Sequence, residues 1–216
     1  MALVVSSGRA RTVDQLIDDL WADGAPPTAR SSLHNLLTRL RRLLGPELLT
    51  TTGNAYRLVI GDDQLDIRVF EQLVGRSMAE RGETKVHTLD TALALWRGEP
   101  LLDLRYENFA QGEIRRLEEL HVLALEERVA AQLELGAHAA VVPQLQQLVL
   151  GFPFRERLRH QLMLALHLSG RTVEALATYE SWRCLLVESW AIEPGAEIEQ
   201  LSNDIRGNAR SAVAVA

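Results

Sequence analysis

A chain of 216 residues with 47% hydrophobic and 24% charged content is long enough for one large or two small cores and reads as a soluble globular protein. Its net charge of −6 excludes a protein that coats nucleic acid over its whole surface, and a single cysteine, Cys184, excludes an intramolecular disulfide or a metal site built on several thiols. No stretch is long and apolar enough to cross a membrane, and the start, MALVVSSGRAR, lacks the basic n-region of a signal peptide, so a cytoplasmic protein is expected. The charge is uneven: residues 1 to 60 hold seven Arg against five acids while the remainder is strongly acidic, which fits one localised anion contact.

In chain order, Leu3 to Ser7 reads as the last turn of a helix stopped by Gly8. Thr12 is an N-cap, with Gln15 completing a capping box, for a helix buried through Val13, Leu16, Ile17, Leu20 and Trp21. After the turn ADGAPP, Pro26 and Pro27 suit the start of a helix that runs to Leu44. Ala29, Leu33, Leu36, Leu37, Leu40, Leu43 and Leu44 form its apolar stripe. Ser31, His34, Asn35, Thr38, Arg41 and Arg42 take the opposite face, flanked by Arg30 and Arg39, and no acid falls between Asp23 and Glu47. Guanidinium groups for phosphates and guanine edges, with short polar groups for other base edges, are what a helix needs in the DNA major groove. The competing reading is a solvated Arg-rich face in an ordinary bundle. LLTTT and AYRLVI around Gly53-Asn54 read as a hairpin over 48–60, with Tyr56 its packing anchor and Thr52, Asn54 and Arg57 its candidate DNA contacts.

Gly61-Asp62-Asp63 reads as a linker, beyond which there is no strand signal. Helices are expected from Asp66, buried through Ile67, Phe70, Leu73 and Val74, then over 84–97, 107–135, 138–150, 154–168, 171–189 and 195–206. The tail RGNARSAVAVA is expected to fray. LELGAHAAVV and LHLSGRTVEAL each place a Gly between two helices, and Gly136 and Gly170 are 34 residues apart, the period of tetratricopeptide helix pairs. Gly82 and KVHTLDTALALW look like an earlier copy. Stacked helical hairpins form a solenoid whose concave surface binds proteins or peptides more often than it catalyses.

LIDDLW, paired prolines, TARSSLHNLLTRLRRLLG and TTGNAYRL, in that order, resemble the winged helix of the OmpR/PhoB type, in the version found in the Streptomyces antibiotic regulatory proteins. FEQLV, ALALWRGEPLLDL, FAQGEIRRLEEL, ALEERVAAQLELG, HQLMLALHLSGRTVEALATYE and IEP resemble the bacterial transcriptional activator domain nearly end to end. Departures are Asn35, Leu36 and Ala55 in the first part and Trp190-Ala191 in place of Leu-Gly before IEP. The family's N-terminal sheet and most of its first helix have no counterpart here, so either the start lies upstream or the DNA-binding unit is impaired.

These readings together give a mainly α fold: a partial winged helix-turn-helix with a short β-hairpin, then an all-α tetratricopeptide-like repeat domain. The divisions are 1–61, 62–210 and a disordered tail at 211–216. The resemblance implies a cytoplasmic transcriptional regulator, an activator of a secondary-metabolism (antibiotic biosynthesis) gene cluster. It would bind double-stranded promoter DNA through helix 27–44 and use the helical domain to hold RNA polymerase or a second protomer as a homodimer, with no membrane partner. The alternative is a protein-interaction module of helical repeats with a vestigial winged helix. No catalytic constellation, phosphate-binding loop or HExxH is present, so neither enzyme activity, cofactor nor metal is expected. His160 and His167 read as surface or satisfied residues, Cys184, Trp96, Trp182 and Trp190 as core, and Arg115, Arg116, Arg155, Arg157 and Arg159 as solvated charge.

Overall fold

The structure, a computed structural model, describes residues 2–6 and 8–215, with the side chains of residue 23 and of residues 209–215 outside the description. Ser7, the expected end of the first helical turn, lies outside the described residues. By contact the chain forms two units, Met1–Leu73 with Ala92–Val122 and Val74–Thr91 with Leu123–Ala216. The boundary read from motifs falls at 61, whereas by contact residues 62–73 and 92–122 group with the N-terminal elements.

The first unit begins with α1 (Ala2–Val5), β1 (Arg11–Thr12) and α2 (Val13–Trp21). The capping box forms as expected: Gln15 N donates to Thr12 Oγ1 at 3.2 Å and Thr12 N to Gln15 Oε1 at 3.0 Å. Helix α3 (Ala29–Leu44) starts after the prolines, whose turn closes through Ala29 N on the Pro26 carbonyl at 2.9 Å. Strands β2 (Leu49–Thr52) and β3 (Ala55–Leu58) pair with Leu49 opposite Leu58 and Thr52 opposite Ala55, around Gly53 at φ +58. The hairpin is one part of a three-stranded antiparallel sheet in the order β1-β3-β2. Two residues are too few to show strand alternation, so β1 was not legible in sequence.

Leu3, Leu16, Leu33, Leu37, Leu49, Tyr56 and Leu58 form the core of these elements, joined by Phe109 from α6 (Asn108–Glu134). The apolar stripe of α3 is narrower than expected. Ala29, Leu33 and Leu37 are buried and Leu40 partly so, but Leu36, Leu44 and above all Leu43, at 82% exposure, face solvent. At about 100° per residue, Leu36 and Leu43 lie roughly 60° and 80° round from Leu33, past the width the sheet covers. Leu20 of α2 is likewise exposed. Within α4 (Asp66–Ser77), Phe70 is buried and meets Trp96 at 5.5 Å between centroids, while Trp96 stacks on His121 at 4.1 Å and 7°.

The second unit is all helical: part of α5 (Gly82–Ala94), the C-terminal half of α6, then α7 (His138–Gly151), α8 (Glu156–Leu168), α9 (Thr172–Trp190) and α10 (Ala196–Val215). Their core runs from Val129 through Val141, Leu145, Leu158, Met163 and Tyr179 to Ile198 and Ile205. The 34-residue repeat holds at the backbone. Gly136 and Gly170 stand at φ +82 and +80, and the residue after each closes the same turn, Ala137 N on Gln132 O at 3.0 Å and Arg171 N on Leu166 O at 2.8 Å. Lys85 is buried and paired with Glu127 at 2.5 Å.

Several expectations are corrected here. Cys184 is exposed: α9 buries Ala175, Tyr179, Trp182 and Leu186, and Cys184 lies about 200° from the last two. Trp190 is 64% exposed, edge-on to the exposed Phe154 at 6.3 Å. Arg159 is buried instead of solvated; its guanidinium lies 4.6 Å from the Trp182 ring and donates to the Pro153 carbonyl at 2.9 Å. Helix α10 continues to Val215, past the expected helix end at 206 and into the stretch expected to fray; Ala216 lies outside the described residues.

Nothing lies within 4 Å of a Cβ built on Gly136, so Gly136→Ala should lose about 1 kcal/mol through backbone strain alone, whereas Ala191→Gly, at φ +54, should gain about 0.5–1 kcal/mol, both read by urea denaturation. Burial lowers the His121 pKa to about 4, so the unfolded chain binds the proton first; stability should fall as pH drops from about 6.5 toward 4, and His121→Gln should flatten that part of the curve.

Candidate nucleic-acid interface

Helix α3 presents its polar face because Leu33 and Leu37 fix the buried direction. Ser31, His34, Asn35, Arg39 and Arg42 are exposed on it, and Thr38 is half-buried, its hydroxyl donating to the His34 carbonyl at 2.8 Å. The Ser31 hydroxyl donates to the Thr28 carbonyl at 2.8 Å. Thr52 and Asn54 stand exposed at the hairpin end, and the Asn54 carbonyl accepts from Val13 N at 2.9 Å, which ties the hairpin tip to the start of α2.

The structure brings Arg30, Ser31, His34, Asn35 and Asn54 together along one cleft of about 570 Å³ between α3, the hairpin tip and the start of α2. Arg39 and Arg42 lie farther along the helix and do not line it. Arg57 is not gathered with them. Strand alternation puts Tyr56 and Leu58 inside and Arg57 on the other face, where it lines a small separate cavity with Leu3, Val4 and Asp62.

Arg41 differs from its neighbours. Its Nη2 donates to the Leu49 carbonyl at 3.0 Å and to Thr51 Oγ1 at 2.5 Å, its Nε to the same carbonyl at 3.1 Å, and its guanidinium sits 5.9 Å from the Tyr56 ring. It clamps the end of α3 to β2. Arg30 meets Asp14 at 2.5 Å, both exposed, so the helix that carries no acid of its own has one supplied by α2. Spacing within α3 could not show that pair; the only sequence signal is the capping-box register that places Asp14 in the first turn of α2. Leu36 on the flank is exposed, because the covered stripe of α3 is narrower than helical spacing alone suggests.

Residues 65–206 match the bacterial transcriptional activator domain family. The regulatory protein DnrI of Streptomyces peucetius is 34% identical over 218 residues, covering 94% of this chain and 80% of DnrI. The regulatory protein AfsR of Streptomyces griseus is 34% identical over 209 residues, covering 94% of this chain and 21% of AfsR. A solved structure of Mycobacterium tuberculosis EmbR in complex with a low-affinity phosphopeptide matches with a TM-score of 0.90 at 33% identity, over 96% of this chain and 57% of that one. The chain therefore spans most of DnrI, about a fifth of AfsR and a little over half of EmbR.

Removing the clamp should loosen the sheet before the helix. Arg41→Ala leaves the buried Leu49 carbonyl without its side-chain donors, and a loss of about 1–2 kcal/mol is expected, with amide exchange accelerating first at Leu49 to Thr51.

Proposed function

The chain belongs to the Streptomyces antibiotic regulatory protein family, a family of transcriptional regulators and not of enzymes, and on that premise we propose that it acts in the cytoplasm as an activator that binds double-stranded promoter DNA through α3. The observation that carries this reading is the division of α3: Leu33 and Leu37 are spent on the core, while Asn35, Arg39 and Arg42 are left in solvent. A helix so held can enter the major groove with its arginines on phosphates or guanine edges and its short polar groups on other bases. Arg30 would exchange Asp14 for phosphate, and His34, Ser31 and Thr38 would meet base edges or sugar. Thr52 and Asn54 would set the hairpin tip against the backbone, with Arg57 reaching an adjacent phosphate from the other face.

In this reading residues 1–61 serve as the DNA-contacting part and 62–210 as the part that holds RNA polymerase or a second protomer, and the regulated genes belong to a secondary-metabolism cluster. The names of DnrI and EmbR, a regulatory protein and a transcriptional regulatory protein, support the general role. No helix among the described residues is long and apolar enough to cross a membrane. The exposed Leu36 and Leu43 on the flank of α3 favour a second reading, in which the helix meets a protein instead of DNA.

Mobility-shift titrations across salt concentrations separate the two. Wild-type retention should fall steeply with salt, and Arg39→Ala with Arg42→Ala should weaken binding and reduce the log–log slope by about 2. Unchanged retention and slope in that double variant would remove α3 from the DNA contact.

A further inference from the structure

The first unit holds a cavity of about 360 Å³ that the DNA-binding reading does not use. Its walls are Ile67 and Phe70 of α4, Trp96 and Leu101 from the segment after α5, and Leu117 of α6. The volume falls within the range of pockets that take small ligands. Most of the lining is apolar, with Asp66, Arg97 and Glu99 its charged members, and it carries two rings: Phe70 meets Trp96 at 5.5 Å, and Trp96 is stacked on His121. The charges that border it are matched to one another. Arg97 donates to Asp66 at 2.9 Å and Arg105 to Glu99 at 2.7 Å, and Asp66, Arg97 and Glu99 are all exposed, so they form a rim and leave the floor without a counter-charge for an ion.

The segment that closes the cavity has an unusual backbone. Gly98 stands at φ +147, and Leu101 at φ +52, ψ +39, a left-handed conformation that crowds the Cβ of a leucine. Leu101 holds that conformation while lining the cavity and packing on the cluster of Leu104, Ala110 and Ile114 with Phe109. Phe109 in turn packs on the core that seats α3. Strain retained at a cavity wall, where the surroundings over-determine it, is a mark of a built site. Leu102 stands at the rim, 61% exposed. The larger cavity of the second unit, about 570 Å³, is bordered by three carboxylates, Glu134, Glu156 and Glu197, against one guanidinium, Arg157.

We propose that the cavity between Phe70, Trp96, Leu101 and Leu117 binds a compact, uncharged, ring-containing small molecule. The rings supply edge and face contacts to a flat apolar body, and an ionic group would lose hydration with nothing inside to replace it. Leu101 and Phe109 pack on the same cluster of Leu104, Ala110 and Ile114, and Phe109 also packs on the core that seats α3, so occupancy would reach α3 through that cluster.

The test uses the full chain and two probes that differ by one sulfonate: neutral N-phenyl-1-naphthylamine and its anionic counterpart 1-anilinonaphthalene-8-sulfonate. Fluorescence titration should show saturable one-to-one binding of the neutral probe and at least tenfold weaker binding of the sulfonate. The Trp96 indole N–H resonance should shift on titration. Leu102→Trp, which fills the mouth from an exposed position, should weaken binding at least tenfold, while Leu150→Trp, exposed in the second unit, should leave it unchanged. Absence of saturable binding, equal affinity for the sulfonate, an unmoved Trp96 resonance, or full binding by folded Leu102→Trp would each overturn the proposal. No arm involves DNA, so its failure is separate from failure of the promoter-binding reading.

Discussion

The orientation of one helix governs the first unit. Leu33 and Leu37 of α3 share a core with Leu49, Tyr56 and Leu58 of the sheet, and two buried leucines one turn apart define a direction that the rest of the helix must follow. Burying each leucine stabilises by about 1.5–3 kcal/mol, so turning the helix to hide its arginines would forfeit more than exposed ion pairs could return. The arginine face is therefore a consequence of packing on the other side. Arg41 adds the second constraint, since its donors on the Leu49 carbonyl and Thr51 hold the end of the helix to the sheet at the residue where the core begins.

The second unit rests on a different device. A helix hairpin buries one face only when its neighbour covers the other, and the neighbour arrives at the right angle only if each turn closes alike. Glycines in left-handed conformation at 136 and 170 allow the same closure twice, 34 residues apart. Charge is managed inside the stack and not only outside it. Glu127 is pushed up by burial, but hydrogen bonds from Lys85 and Arg157 outweigh this and hold it below the usual carboxylate range. Glu126, more deeply placed, is held above that range by burial. Half-buried pairs of this kind add little net stability but penalise arrangements that would separate them.

An acidic body carrying a short arginine-bearing segment is suited to a single anion contact. Kinship with DnrI and EmbR marks the chain as a transcriptional regulator, for which promoter DNA is the proposed counterpart of that contact, and the cavity proposed to take a small molecule lies in the same unit as α3.

Much of this was written in local patterns. The capping box at Thr12, the hairpin around Gly53, the buried Tyr56 and the 34-residue repeat depend on residues close in sequence or on a fixed period, and spacing alone predicts them. What spacing could not supply was the width of each buried stripe and the partner of each charge. Leu36 and Leu43 have helical spacing but no sheet over them, Cys184 sits beside two leucines yet on the far side of its helix, and Trp190 reaches past the core. Arg30 finds Asp14 sixteen residues away, Arg41 turns to the strand, and Arg159 is drawn under Trp182. Period and composition fix which residues share a face, because helix geometry is local; which face is covered, and which cation is free, depends on surfaces brought together from distant parts of the chain, and only the tertiary structure decides that.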